Sequence, residues 1–200
     1  VYFVIDKNNP SIVITNPAQD TVQSSNFTID GTASDANGIA DLDTDTLADI
    51  EISTDGGTNW SVLSADGGTW TYDVTIDTAG HTDDGIHTYK FRATDAFGKT
   101  KTIDLRFTID TSGPVIAMTA PAAASWLSGS TYLASGTASD GTGTGVNKVY
   151  WWVGAEADTP PGDIGSWNVA SGTTFWSGLM DLAALGEGDK RLHVQAEDLG

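Results

Sequence analysis

The chain has 200 residues, 39% of them hydrophobic, which is enough apolar material for two modest cores. Acidic residues outnumber basic ones 27 to 9, for a formal charge of −18; such a surface repels phosphate backbones and anionic lipid, so no nucleic acid and no direct membrane insertion is expected. Cysteine is absent, so no disulfide staples the fold and thiols say nothing about compartment.

The hydrophobic period along the chain is two, not 3.6. Trp70, Tyr72, Val74 and Ile76 alternate with polar residues, as do Tyr89, Phe91 and Ala93, and Ile103, Leu105, Phe107 and Ile109. Between such runs lie Gly, Asp, Asn and Thr clusters such as Asp55-Gly56-Gly57 and Asp66-Gly67-Gly68, which supply the positive φ that tight turns need. In chain order the predicted strands are 11–15, 26–33, 49–53, 61–64, 70–76, 87–94 and 101–109. A second set follows at 115–118, 132–138, 148–153, 167–169, 174–182 and 190–196. No segment shows helical spacing with caps, and the Ala-rich stretches at 122–124 and 183–184 are too short. Short alternating strands at this spacing predict an all-β chain of antiparallel sheets packed face to face.

The chain also says the same thing twice. Phe3-Val4-Ile5-Asp6 with Pro10 returns as Phe107-Thr108-Ile109-Asp110 with Pro114. Gly31-Thr32-Ala33-Ser34-Asp35 returns unchanged as Gly136-Thr137-Ala138-Ser139-Asp140, and Ala93-Thr94-Asp95-Ala96-Phe97-Gly98 returns shortened as Ala196-Glu197-Asp198-Leu199-Gly200. A repeat of this length is one small domain. The expected domains are therefore 1–110 and 111–200, with 1–6 read as the end of a preceding repeat's strand. The second repeat stops where its last strand should begin. Its strand at 190–196 would then present an open edge, for Val1–Ile5 of a neighbouring molecule or a downstream strand to fill. The lack of an initiator Met fits an internal fragment, for which missing targeting signals are uninformative.

At these motifs the chain resembles the cadherin-like, bacterial immunoglobulin-like tandem repeats of large surface proteins and adhesins. An Asp-x-x-x-Pro linker, a Gly-Thr-Ala-Ser-Asp run and an Ala-Thr-Asp-Ala-x-Gly run all occur here twice, the last degraded in its second copy. The resemblance implies two tandem immunoglobulin-like Greek-key β-sandwiches, the second lacking its last strand. It also implies a bacterial, extracellular or cell-surface stalk whose partners are neighbouring repeats and a host or cell-surface protein or glycan.

Two readings of the acidic loops stand side by side. In a seven-stranded sandwich the linker Asp110 should sit near Asp140 and Asp198 of the second domain, with Asp83 and Asp84 approaching from the first. Four carboxylates and loop carbonyls could satisfy the six to eight hard oxygens calcium takes. Asp6, Asp35 and Asp95 would form the equivalent upper site of the first domain, with Asp41 and Asp43 in reserve. On the other reading these Asp residues only turn the chain by accepting backbone N–H bonds. No cofactor is required; calcium is the one the pattern could take.

Ser53-Thr54-Asp55-Gly56-Gly57-Thr58-Asn59-Trp60 fits the Asp-box pattern, a hairpin device, and Asp163-Ile164-Gly165-Ser166-Trp167 is a shortened relative. Aligning the second repeat on the first puts Val149, Trp151 and Val153 inward and Tyr150 and Trp152 outward. With Trp126 these could stack on sugar rings; the favoured alternative is that the insert 154–165 folds back over Trp152. The predicted core holds Trp60, Trp70, Tyr89, Phe91 and Phe107, with Trp167, Trp176, Leu192 and Val194 as counterparts. Each contributes on the order of 1.5–3 kcal/mol. His81, His87 and His193 are scattered, and no nucleophile–base pairing or phosphate loop appears, so no catalytic residue is assigned. The expected function is a non-catalytic spacer and adhesive module. The alternative is a carbohydrate-binding or accessory module of a secreted glycan-degrading enzyme.

Overall fold

A computed structural model describes residues 1, 5–35, 50–63, 65, 66, 68–95 and 97–200, the side chains of 65 and 66 excepted. The chain divides into two compact units, Val1–Thr111 and Ser112–Gly200.

Unit 1 is built from β1 (Ser11–Asn16), β2 (Thr21–Gln23), β3 (Phe27–Ser34), β4 (Ile50–Ser53), β5 (Ser61–Val62), β6 (Ala65–Asp66), β7 (Thr69–Val74), β8 (Gly85–Thr94) and β9 (Thr100–Ile109). They form one sheet in the order β1-β3-β7-β6 and another in the order β2-β9-β8-β4-β5. The alternation that marks each strand is the alternation of burial. Leu105, Phe107 and Ile109 of β9 point into the core, and the residues between them do not. Trp70 from one sheet stacks on Phe91 of the other, with ring centroids 4.7 Å apart.

Unit 2 comprises β10 (Val115–Ala120), β11 (Thr131–Ser139), β12 (Val146–Ala155), β13 (Asn168–Val169), β14 (Phe175–Asp181) and β15 (Lys190–Asp198), with one helical turn, α1 (Leu182–Leu185). Its sheets run β10-β11-β14 and β13-β12-β15. Both units thus set the same three-strand pairing against a sheet carrying the other strands, the immunoglobulin-like arrangement, and the chain is all-β in architecture. Among the described residues unit 2 has no counterpart of β9.

Three expectations need correction. Two short strands escaped the pattern. β2 pairs in parallel with β9, tied by Asp20 N–H to the Arg106 carbonyl at 2.8 Å and Asp110 N–H to the Gln23 carbonyl at 3.0 Å. Three residues are too few to declare a period, and the apolar one, Val22, is the exposed one, so the free edge of β9 specifies the strand. β6 is two residues long and equally silent in sequence. The helical turn α1 also went unforeseen; Asp181 caps it by accepting the Ala184 N–H at 3.1 Å, and four residues carry no helical period. Finally, Trp60 and Trp167 lie outside both cores. Arg92 sits 4.2 Å above the Trp60 ring on the outer face, and the Trp167 indole donates to the Pro161 carbonyl at 3.0 Å.

The repeated Gly-Thr-Ala-Ser-Asp run has a packing cause. Gly31 is paired with Trp70 across β3 and β7, and Gly136 with Trp176 across β11 and β14. A Cβ on Gly31 would lie 2.0 Å from the Trp70 ring, and one on Gly136 would lie 2.6 Å from the Trp176 ring. Each indole lies flat over bare backbone, which only glycine allows.

Candidate functional site

At the start of unit 1, the turn after β8 gathers charge. Asp95 accepts backbone N–H bonds from Phe97 at 2.8 Å and Lys99 at 2.9 Å, and Asp6 accepts one from Asn8 at 3.0 Å. The Lys99 ammonium pairs with Asp6, lies 3.5 Å from Asp95 and donates to the Asn8 carbonyl at 3.1 Å. The Asp6 and Asp95 side chains are 1% and 0% exposed. The hydrogen bond Lys99 donates to Asp6 foremost, and then the two carboxylate charges, push the Lys99 amine above its ordinary range. Oxygens expected to serve calcium therefore converge on the chain's own cation. Calcium bound at Asp6 and Asp95 would have to displace the Lys99 ammonium. Asp35 follows β3 and is half-buried. Asp41 and Asp43 lie outside the described residues.

The other end of unit 1 is organised by the loop between β7 and β8. Asp77 accepts N–H bonds from Gly80 and Ala79 and a hydroxyl bond from Thr82. These bonds, that of Gly80 first, hold its carboxyl below the usual range. Asp83 accepts the Asp77 N–H at 2.7 Å and its carbonyl meets His87 Nε2 at 2.7 Å. Asp84 accepts both the N–H and the hydroxyl of Thr111, at 3.0 and 2.7 Å. The loop thereby clasps the chain where it leaves β9, beside the buried Asp110.

In unit 2, Asp140 is buried and accepts the Gly145 N–H at 2.8 Å. Asp198 ends β15, accepts the Gly200 N–H at 3.1 Å and pairs in register with Val146. Leu199 N–H reaches the Gly145 carbonyl at 3.0 Å, so the two acids share one end of the unit. Among the described residues, no three His, Asp or Glu side chains gather closely enough to hold a metal ion. Asp6, Asp77, Asp83, Asp84, Asp95, Asp140 and Asp198 each accept a backbone N–H bond within their own unit.

The aromatic candidates separate. Tyr150 and Trp152 occupy the outer face of β12 opposite Gln195 and His193, as the alternation requires. Tyr150 is nevertheless buried, its hydroxyl 3.2 Å from Glu197. Trp152 is half-buried, packed over Gly154 and 5.7 Å from the His193 ring, which also meets Trp167 at 6.4 Å. Trp126, in the loop after β10, is 99% exposed. By the repeat offset it corresponds to Val22 of β2, whose partner is β9.

The sequence matches the profile of the bacterial Ig-like domain over residues 38–111. That stretch of unit 1 is therefore similar to bacterial Ig-like domains. No curated protein matches the chain. Among solved structures, the endo-beta-1,4-mannanase of Thermotoga petrophila aligns at 12% identity and a TM-score of 0.40, covering 54% of this chain and 21% of that one. The N-terminal Ig1-2 module of the Drosophila receptor protein tyrosine phosphatase DLAR aligns at 18% identity and 0.35, covering 96% and 92%. A 1.5-MDa bacterial ice-binding adhesin aligns at 14% identity and 0.35, covering 96% and 65%. The chain thus spans about a fifth of the mannanase.

Two features of these Ig-like units escaped the sequence reading. Lys99 was passed over because a lone lysine after a turn gives no signal until Asp6 is placed beside it. The outer face of β14 was missed although the sequence held a clue. Phe175 and Leu179 alternate with Trp176, Gly178 and Met180, so both faces of that strand are apolar.

Proposed function

We propose that this chain is a non-catalytic spacing and display segment of a bacterial extracellular or cell-surface protein. The observation that carries this reading is the use to which its acids are put. Asp6, Asp55, Asp77, Asp83, Asp84, Asp95 and Asp140 accept bonds that close turns or tie strands, and they do not converge around a cleft. The bacterial Ig-like match adds support, since domains of that kind are typically non-catalytic. No helix among the described residues is long and apolar enough to cross a membrane. Calcium is proposed as a ligand of the acidic loops, at Asp83, Asp84 and Asp110 of unit 1 and at Asp140 and Asp198 of unit 2; at Asp6 and Asp95 it would have to compete with Lys99.

Calorimetric melting in calcium and then in chelator tests the metal part, and a calcium-dependent rise in melting temperature supports binding by those loops. A glycan panel read by tryptophan fluorescence tests the rest. A spacer gives no saturable response. The carbohydrate-binding reading is favoured by one observation, the fully exposed Trp126, and a saturable response lost in Trp126→Ala would establish it instead.

A further inference from the structure

Three successive rungs of the β11–β14 pair face outward in unit 2, and the same rungs exist on β3 and β7 of unit 1. In unit 1 they are Thr28 with Asp73, Asp30 with Thr71, and Thr32 with Thr69, and the first pair shares a 2.7 Å hydrogen bond. In unit 2 they become Leu133 with Leu179, Ser135 with Ser177, and Thr137 with Phe175. Leu133, Leu179 and Phe175 are 56%, 62% and 78% exposed, and Val115, at the same face of the adjoining β10, is 74% exposed. The sequence has replaced a wet face with a greasy one and left the scaffold unchanged.

These four side chains expose on the order of 500 Å² of surface, at the upper end of what a monomeric protein leaves as one apolar patch. In a chain of charge −18, the three rungs carry no charged side chain. A partner drawn by charge would find its site on the acidic rungs of unit 1. The unit 2 face fits a surface that is itself neutral, flat and apolar.

We infer that the outer β10-β11-β14 face of unit 2 is a docking surface for the same face of a second copy of this chain. Sheets of this kind stack with their strands nearly aligned, and the small Ser135–Ser177 rung leaves a trough between two rows of large side chains. Mating two such faces would remove about 1,000 Å², close to the lower limit for specific association, so the pair is weak, with a dissociation constant on the order of 10–100 µM. Both copies are strongly acidic, so salt strengthens the pairing by screening their repulsion, the opposite of a contact driven by charge attraction.

Sedimentation equilibrium of the 200-residue chain, from about 1 µM to about 1 mM and at low and high salt, tests this. The wild type should shift from monomer to dimer with concentration, and at lower concentration when salt is raised. Leu179→Asp should remain monomeric throughout, and Phe175→Ser should weaken dimerisation at least about tenfold. Leu179→Thr serves where the charged variant fails to fold, as judged by circular dichroism, and should weaken the dimer likewise. Val13→Asp, on the corresponding face of unit 1, should change nothing. A wild type that is monomeric up to the highest concentration overturns the inference. So does a dimer that survives both Leu179 variants, or one that dissociates in salt.

Discussion

The two units share a scaffold but not the depth of their cores. Among the described residues, fourteen buried side chains form the cluster around Trp70 in unit 1, whereas six form the one around Trp176 in unit 2. Trp70 has an aromatic partner in Phe91, and Tyr89 meets Phe107 edge-on at 5.0 Å. Unit 2 surrounds Trp176 with Ala134, Ala138 and Met180, and with residues such as Leu192 and Val194 that are only half-buried. The difference teaches that the repeated motif specifies where the tryptophan lies and leaves open how much is packed around it. It also implies unequal stability, because burial of apolar surface is the main favourable term in folding.

The largest expected effect tests that inequality directly. Truncating either buried tryptophan should cost about 3–5 kcal/mol, a large share of the roughly 5–15 kcal/mol that holds an ordinary domain. In the thinner core of unit 2, Trp176→Ala should abolish the unit's thermal transition altogether. Trp70→Ala should only lower that of unit 1. Differential scanning calorimetry of the whole chain reads both, and equal losses would dissolve the contrast. Gly31→Ala and Gly136→Ala come next. Each drives a methyl group into an indole that cannot retreat, at about 1–3 kcal/mol or more, and each should destabilise its own unit alone.

Most of this architecture was legible in the sequence because period-two alternation and burial are the same fact seen twice. Long strands such as β8 and β9 declare themselves through Tyr89, Phe91, Leu105 and Phe107. β2 does not, since its place is set by the edge of β9 and not by its own side chains. The repeat located the acidic loops but could not tell a metal ligand from a turn-former. Asp95 illustrates the reason: which cation sits by a carboxylate depends on residues distant in the chain, here Asp6 and Lys99, separated by 93 positions. Tyr150 was correctly assigned to an outer face, yet its neighbours Val169 and Gln195 and the bond to Glu197 cover it. Alternation gives the side a residue takes and says nothing of what lies over it.

Lys99 sharpens the comparison from the electrostatic side. Lys99→Met should take from Asp6 and Asp95 the ammonium they share, lowering the melting temperature of unit 1 by several degrees and leaving unit 2 unmoved. The folded-state amine is raised above its unfolded value, so the stability it contributes is fully present at neutral pH. It is lost only as pH climbs through the raised value, in strongly alkaline solution. Addition of calcium to Lys99→Met offers a further comparison: restored stability would show that the oxygens can take a metal once the lysine is gone.

The smallest effect concerns the two hairpin turns. Asp55 accepts N–H bonds from Thr58 at 3.0 Å and Asn59 at 2.9 Å, with the Ser53 hydroxyl at 2.7 Å. The Asn59 backbone bond first, and then the side-chain bonds from Ser53 and Asn59, lower its carboxyl to about 2. Asp163, at the related turn of unit 2, accepts one backbone N–H, from Gly165 at 2.9 Å. A carboxylate whose folded value lies below its unfolded one stabilises above the unfolded value, and that contribution disappears as pH falls toward about 2. Between about pH 4 and pH 2 the unfolded chain binds the proton that folded Asp55 refuses. Unit 1 should therefore lose stability across this window, with Asp77 adding to the loss in the same direction. Asp55→Asn should flatten the acid limb of its melting curve. Because Asp55 is surrounded by water, the change is modest and salt does little to it, as hydrogen bonds and not distant charges hold the carboxylate. An acid limb as steep in Asp55→Asn as in the wild type would mean that the turn's bonds form equally well in the unfolded chain, and that the hairpin is set by Gly56, Gly57 and local sterics alone.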